Sequence, residues 1–228
     1  MEKHEQIADV LKKNRDAISP VVRLGVKPED IIAMDFSESN EEIKKIDIDD
    51  VEGFTEYIES LLDKFEKVGV GGYGEDRSIY RRSSLFDGEG EPRSIHLGLD
   101  IWIPAGTKVY APLDAKVHSY AYNDTYGDYG GTIILEHNLE DTTFYTLYGH
   151  LSKDSLENMD KDKHIEKGEH FAYIGRVEEN GQWPPHLHFQ LITDMLDKEG
   201  DFYGVAPPSE KEEYMKLCPN PYRILKIQ

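Results

Sequence analysis

Cysteine is almost absent from this chain of 228 residues, which contains only Cys218. A single cysteine excludes an intrachain disulfide and is typical of a reducing compartment. Long apolar runs are missing as well: none approaches the roughly 20 residues that a membrane-spanning helix needs. The N-terminal stretch MEKHEQIADVLKKNRD has no apolar segment of the kind found in a secretory signal. We therefore expect a cytoplasmic protein without membrane insertion.

Positive charge is scarce. The chain has 26 Lys and Arg against 45 Asp and Glu, which gives a formal net charge of -19. A protein that binds nucleic acid or an anionic membrane surface needs a basic face to neutralise phosphate groups. The composition therefore argues against both partners, and it says nothing about the oligomeric state.

The first 70 residues carry an apolar pattern with helical spacing. It recurs at Ile7, Val10 and Leu11, and again at Val51, Phe54, Ile58, Leu61, Leu62 and Phe65. The stretch GVGGYGED (69–76) then interrupts this pattern with four glycines, which indicates a hinge or a boundary. We therefore expect a helical N-terminal extension over 1–70 and a second unit over 71–228, with its core at 93–193.

From about residue 93 the pattern becomes short and strand-like. Six segments rich in Val, Ile, Thr, Tyr and Phe are separated by turn residues: GTKVYAP, AKVHSYAYN, GGTIILEHN, TTFYTLYGHL, HFAYIGRV and HLHFQLIT. Their close spacing leaves little room for crossover helices, so the fold class is mainly β, a compact antiparallel sheet or sandwich. We expect one short helix in SKDSLENMDKD and an extended C-terminal tail packed over the domain.

The segment HLGLD places His96 and Asp100 four residues apart. Zinc binds imidazole nitrogen and carboxylate oxygen, and catalytic zinc sites use three protein ligands and leave a position for water. If the segment is a strand, residues 96, 98 and 100 share one face. Gly98 would then leave open space between two metal ligands.

The segment WPPHLHFQ (183–190) holds two more histidines, His186 and His188. Alternation on a strand puts both on one face, with Leu187 and Phe189 turned towards the core. Such a pair alone is more often a surface feature than a metal site. Together with HLGLD, and with YGHLS placing His150 at a strand end, it supplies enough groups for three ligands and two free imidazoles. The other histidines have better structural or solvent-exposed interpretations: His4, His118, His137, His164 and His170.

HLGLD, YGHLS and PHLHF occur in this order with VYAPLDAKV between the first two. Over about residues 93–193 the chain resembles the LytM/lysostaphin-type zinc metallopeptidases (peptidase family M23). The longer stretches DYGGTIILEH, FYTLYGHLS and ENGQWPPHLHFQ are similar to the M23-type domain found beside class III aminotransferases in some bacterial proteins. The resemblance implies a compact antiparallel β-sheet with the site in a groove and Zn²⁺ as cofactor. By the same resemblance, the zinc ligands are His96, Asp100 and His188, and the catalytic residues are His150 and His186.

The chain reads PPHLHFQ (184–190) where the family's usual motif is GPHLHFE, so Gln190 replaces the glutamate. We expect a zinc-dependent metalloendopeptidase that hydrolyses an amide bond in a peptide or peptidoglycan-derived substrate. Two alternatives stay open, a non-catalytic binding module and a zinc hydrolase that acts on a small-molecule amide. A further hypothesis is that the helical N-terminal extension covers the groove.

A few aromatic and charged residues near the motifs are candidates for the groove wall. Tyr73, Arg77 and Tyr80 precede HLGLD, and Trp183 precedes the histidine pair. For the first three, packing and surface roles are the stronger expectation. Cys218 is expected to be a small buried apolar residue rather than a nucleophile, because no histidine neighbours it in the sequence.

Overall fold

The computed structural model describes residues 1–77, 79–80, 84–86, 91–157 and 159–227. Within these residues the helices are α1 (Lys3–Lys13), α2 (Val51–Leu61) and α3 (Lys211–Leu217). The strands are β1 (Ile31–Ala33), β2 (Val68–Gly71), β3 (Ile95–His96), β4 (Leu99–Trp102), β5 (Lys108–Tyr110), β6 (Ala115–Asn123), β7 (Gly130–Leu139), β8 (Thr142–Leu151), β9 (His164–Ile165), β10 (His170–Tyr173), β11 (His186–Ile192) and β12 (Val205–Ala206).

One large sheet dominates, with the strand order β1-β2-β4-β11-β8-β7-β6-β9. Its pairs are antiparallel except β1 with β2, which run parallel. β5 pairs with β10, and β3 with β12, in two small sheets. The predicted mainly β class is confirmed, and each of the six predicted strand segments contains a strand. None of the described helices has both the length and the apolar character that a membrane span needs.

The other local predictions hold in part. SKDSLENMDKD contains a short 3-10 helix over Lys153–Leu156, whereas the tail is not wholly extended because α3 occupies Lys211–Leu217. The extension is only partly helical: α1 and α2 form as their apolar spacing indicates, but β1 and β2 are strands. Runs this short are ambiguous in a sequence, since tertiary pairing decides whether they become strands.

GVGGYGED begins in a strand of the large sheet. Val68–Gly71 forms β2, fully buried between β1 and β4. The glycines are needed for close approach, because a Cβ at Gly71 would lie 2.4 Å from the carbonyl oxygen of Met34 and one at Gly69 would lie 2.8 Å from the Met34 side chain. The segment that carries β1 can therefore pack directly on β2.

Two hydrophobic cores lie on opposite faces of β4 and β11. Leu187 and Phe189 belong to the larger core, which α1 also covers, so their predicted orientation is confirmed. On the other face, Phe54 of α2 packs in a second core with Trp102 and Trp183. The large sheet and this second core both contain residues from either side of residue 70, the position at which the sequence predicts the boundary of the extension.

Candidate metal centre

The candidate site lies on the face of β4 and β11 opposite the larger core. Asp100 of β4 pairs in register with His188 of β11, and Trp102 pairs with His186. On the other side of β11, His188 lies opposite Gly149, the residue before His150. The pairing of β4 with β11 therefore brings HLGLD and PHLHF together, and the pairing of β11 with β8 places YGHLS beside them.

Three ligand atoms form a compact triangle at this point. Nε2 of His96 lies 3.0 Å from Nδ1 of His188 and 3.4 Å from Oδ1 of Asp100, and the remaining edge measures 3.2 Å. In a tetrahedral zinc site with bonds of about 2.0–2.1 Å, neighbouring ligand atoms are about 3.3 Å apart. The spacing therefore fits a zinc ion.

An unsatisfied polar atom supports the same interpretation. Oδ1 of Asp100 is buried and has no hydrogen-bond partner among the described residues. A buried carboxylate oxygen without a partner is costly. Since Oδ1 faces the two imidazole nitrogens, a cation at the centre of the triangle would satisfy it.

Hydrogen bonds on the far side of each imidazole orient the rings. Nδ1 of His96 lies 3.2 Å from the Gly72 carbonyl oxygen, and Nε2 of His188 lies 2.9 Å from Oε1 of Gln190. Each of these nitrogens faces an acceptor and therefore carries the hydrogen. The opposite nitrogen is left with its lone pair towards the triangle, as metal-binding histidines require.

His96 does not reach the site in the way its spacing predicts. It lies on β3, whereas Asp100 lies on β4 in another sheet, so the two residues do not alternate along one strand. Gly98, between these strands, leaves no open space: a Cβ there would lie 2.4 Å from the His188 ring. The position requires glycine because an imidazole occupies the volume.

Burial and neighbouring charges favour the protonation states that a metal needs. Burial, with the Arg77 guanidinium, lowers the pKa of His96 to about 3. Burial alone would raise the pKa of Asp100, but the charge of the Arg77 guanidinium helps to hold it well below its usual range. At neutral pH the site therefore presents a neutral imidazole at His96 and a carboxylate at Asp100.

His150 and His186 lie beside the triangle with their ring centroids 4.2 Å apart. Nδ1 of His150 lies 2.8 Å from the Asn180 carbonyl oxygen, and Nδ1 of His186 lies 2.7 Å from that of Pro184. Both rings therefore carry hydrogen on Nδ1 and a lone pair on Nε2. His150 has a φ of 61°, an uncommon backbone conformation for a residue with a side chain.

Burial also keeps these two imidazoles neutral. It lowers the pKa of His186 to about 4, and the pKa of His150 falls well below its usual value. His186 stacks on Trp102 with centroids 4.1 Å apart, and its Nε2 lies 3.9 Å from Oδ1 of Asp100. The pair can accept protons next to the triangle.

A cavity of about 300 Å³ opens over the site. Arg77, Tyr80 and Trp183 line it as three of the sequence candidates, while Tyr73 does not and instead donates its hydroxyl to the Cys218 carbonyl. Among the described residues, no residue of the extension lines the cavity. The structure therefore gives no support to the hypothesis that the extension covers the groove.

The five site residues named from the sequence thus come together, and the remaining histidines lie elsewhere. Sequence reasoning missed Tyr129, which packs against His188 with centroids 5.0 Å apart and lines the cavity. It also missed the Asn180 carbonyl that orients His150. A backbone acceptor leaves no signal in the sequence, whereas Tyr129 could have been noticed from its place in DYGG, just before β7. Cys218 is buried, as expected.

A family model matches part of the chain. The model of peptidase family M23 matches residues 94–199, a segment that contains all five site residues. An uncharacterized metalloprotease of Haemophilus influenzae is 34% identical over 96 residues, which cover 42% of this chain and 18% of that protein. The chain thus spans less than a fifth of the length of this curated relative.

Solved structures are also similar to part of the chain. A zinc containing peptidase from Vibrio cholerae is 29% identical, with a TM-score of 0.33, over 43% of this chain and 27% of that chain. The catalytic domain of the antimicrobial peptidase lysostaphin from Staphylococcus simulans is 24% identical, with a TM-score of 0.37, over 51% of this chain and 77% of that chain.

Proposed function

We propose that this protein is a zinc-dependent metalloendopeptidase of the M23 type that hydrolyses an amide bond in a peptide. One observation carries the proposal. The unpartnered Oδ1 of Asp100 and two imidazole nitrogens form a triangle of zinc-site dimensions, directly beside the free Nε2 atoms of two further histidines. The match of residues 94–199 to peptidase family M23 supports it.

Nε2 of His96, Oδ1 of Asp100 and Nδ1 of His188 would hold the ion. When bound, zinc supplies a Lewis acid that polarises a carbonyl and lowers the pKa of water to about 7. Three protein ligands leave one position open, which is the arrangement of catalytic rather than structural zinc sites. Two buried tryptophans, Trp102 and Trp183, form part of the cavity wall.

His150 and His186 would transfer protons in this reaction. Their lowered pKa values make them neutral at pH 7, so each Nε2 can accept a proton, and hydrogen bonds from Nδ1 to backbone carbonyls hold the rings in place. One imidazole would take the proton of the attacking water, and the other would stabilise the oxyanion or protonate the leaving amine. Both side chains line the cavity over the triangle, which supports these roles.

Alanine variants would separate the two groups of residues. His96→Ala and Asp100→Ala should abolish stoichiometric zinc binding in a metal assay of the purified protein. His150→Ala and His186→Ala should retain zinc but lose turnover by a factor of about 100 or more, as expected for general acid–base groups. The exposed His164→Ala serves as control. Full activity in both His150→Ala and His186→Ala would contradict the assignment.

The substrate is part of the proposal. We favour a peptide or a peptidoglycan-derived fragment as substrate, and a cytoplasmic location for the protein. We also propose that the domain is related to the M23-type domains found beside class III aminotransferases, which its motifs resemble. A cavity of about 300 Å³ is at the small end for ligand sites, whose volumes run roughly 300–1,000 Å³. That size favours a small-molecule amide as the second candidate.

A panel of substrates distinguishes these candidates. Peptidoglycan fragments, glycine-rich peptides and small amides should be assayed with and without a chelator. Chelator-sensitive cleavage of peptides alone supports the metalloendopeptidase, and cleavage of small amides alone supports the second candidate. Absence of turnover across the panel would contradict both and leave the non-catalytic binding module.

A further inference from the structure

Arg77 is a buried cation in direct contact with a candidate metal ligand. Its side chain is 1% exposed, and its Nη1 donates to Oδ2 of Asp100 at 2.5 Å and to the hydroxyl of Tyr80 at 3.1 Å. Its Nε donates to Oε2 of Glu75 at 2.7 Å. The guanidinium is thus tied to a candidate metal ligand, to a cavity-lining tyrosine and to Glu75, and its Nη2 lies 3.4 Å from the Gly71 carbonyl oxygen.

This contact determines which oxygen of Asp100 is available. Oδ2 is occupied by Arg77, so Oδ1 alone is left facing His96 and His188. A planar guanidinium held from two sides fixes a carboxylate in orientation as well as in position. Without Arg77, the Asp100 side chain could rotate and offer either oxygen.

The two carboxylates beside Arg77 differ in exposure. The Glu75 side chain is 14% exposed, whereas that of Asp100 is 3% exposed. A buried charge is stable only when it is paired. Oδ1 of Asp100 is buried and has no hydrogen-bond partner among the described residues, and the ion would be its partner.

The glycine-rich segment after β2 builds the framework for Arg77. Gly72 has a φ of +111°, and a Cβ at this position would lie 2.3 Å from Nη2 of Arg77 and from Oε2 of Glu75. Its carbonyl oxygen also faces Nδ1 of His96 at 3.2 Å. One glycine therefore makes room for the ion pair that orients Asp100 and orients a second ligand directly.

The N-terminal extension completes this framework. The backbone N–H of Phe36 donates to Oε1 of Glu75 at 3.1 Å, and the Phe36 ring lies 5.3 Å from the Arg77 guanidinium and 5.2 Å from the Trp102 ring. A continuous chain of contacts thus runs from the extension through Glu75 and Arg77 to Asp100. No residue of the extension needs to reach the cavity for it to affect the site.

We propose that Arg77 is a positioning residue of the metal centre, held by Glu75 and Phe36, and that it sets the zinc affinity by fixing Asp100 with Oδ1 towards the ion. This inference rests on the proposed function for the identity of the ion. It assigns a role to the glycine-rich segment and to the extension, which the peptidase proposal leaves without one.

The test is zinc affinity in the full-length chain, measured by competition with a chromophoric chelator. Arg77→Lys keeps the charge but not the fork, and we expect zinc binding about 10–100-fold weaker, as for loss of a group that orients a ligand. Glu75→Gln removes only the support of Arg77 and should give a smaller loss in the same direction. Arg23→Lys, far from the site, is the matched control and should bind zinc as the wild type does.

A second readout separates positioning from simple stability. The visible absorption spectrum of the Co²⁺-loaded protein reports ligand geometry, and Arg77→Lys should shift its bands while Arg23→Lys leaves them unchanged. If Arg77→Lys and Glu75→Gln melt at lower temperature but keep wild-type zinc affinity and cobalt spectrum, Arg77 is only structural and the inference is overturned. If Arg77→Lys does not fold, Glu75→Gln alone decides by the same criteria. Wild-type zinc binding without any hydrolysis would overturn the peptidase function and leave this inference standing.

Discussion

Nε2 of His188 lies 2.9 Å from Oε1 of Gln190, the residue at which PPHLHFQ differs from the motif GPHLHFE by an amide in place of a carboxylate. The amide nitrogen of Gln190 donates to the Tyr203 carbonyl at 2.9 Å and lies 3.2 Å from Sγ of Cys218. Those donor contacts determine that the amide oxygen faces His188. Compared with a glutamate at this position, Gln190 therefore keeps an acceptor for Nε2 of His188 without a negative charge.

Gln190→Glu should destabilise the metal-free protein. Gln190 is fully buried, and a carboxylate would lose the donor to Tyr203 and place an anion against that carbonyl oxygen. Leaving a buried acceptor unpaired costs about 1–3 kcal/mol. We expect the free energy of unfolding to fall by at least this amount in chemical denaturation at neutral pH, in the presence of a chelator.

The exposed Gln6→Glu on α1 is the matched control and should change stability little. A Gln190→Glu protein as stable as the wild type would show that the amide donor contributes nothing. It would also mean that a glutamate at this position does not lower the stability of the metal-free protein.

The sequence predicted the part of the site that depends on local alternation. His186 and His188 share a face because they lie two residues apart on one strand, and Leu187 and Phe189 face the core for the same reason. The strand segments were recognisable because β-branched and aromatic residues alternate with turn residues.

The rest depends on contacts between distant segments. Arg77 donates a hydrogen bond to Asp100, which lies 23 positions away in the sequence. The residues next to Arg77 in the chain do not indicate this contact. β2 was hidden because its glycines, which permit the close approach of Met34, are typical of a turn when they are read alone. The sequence predicts His96 and Asp100 on one strand, because nothing in HLGLD indicates that the chain passes from one sheet to another within this segment.

Gly98→Ala should weaken zinc binding. The new Cβ would lie 2.4 Å from the His188 ring, which cannot move without leaving the triangle or losing Gln190. We expect the zinc affinity to fall at least about tenfold, in the same chelator competition assay. Gly106→Ala is the control: nothing lies within 4 Å of its Cβ, and its φ of +80° means that it tests backbone strain alone. Zinc binding by Gly98→Ala at wild-type affinity would show that the ring has room to shift.

Phe54→Ala should destabilise the whole chain rather than the extension alone. Phe54 of α2 is fully buried in the core that contains Trp102 and Trp183. Removal of a buried phenylalanine side chain costs about 3–5 kcal/mol. Because this core joins the extension to β4, we expect one cooperative transition at a lower temperature in calorimetry.

Leu61→Ala, at an exposed position of the same helix, is the control and should leave the transition close to that of the wild type. Two separate transitions in Phe54→Ala would contradict the prediction. They would indicate that the extension folds as a unit of its own.

His137 should make the metal-free protein sensitive to acid. It is fully buried outside the site, with Nδ1 3.1 Å from the Asp114 carbonyl oxygen and Nε2 2.8 Å from Oγ1 of Thr146. Burial lowers its pKa from 6.5 to about 4. Above pH 6.5 the imidazole is neutral in both states, so it adds no dependence on pH.

As the pH falls from 6.5 to 4, His137 becomes protonated in the unfolded chain but stays neutral in the folded chain. The free energy of unfolding therefore decreases. At about 1.4 kcal/mol per pKa unit the loss reaches roughly 3 kcal/mol and levels off below pH 4. Denaturation at a series of pH values with a chelator present should therefore show a shallower slope in this window for His137→Gln than for the wild type. The exposed His164→Gln should retain the wild-type slope. Equal slopes in His137→Gln and the wild type would mean that His137 is protonated in the folded state, and that its two hydrogen bonds do not require the neutral ring.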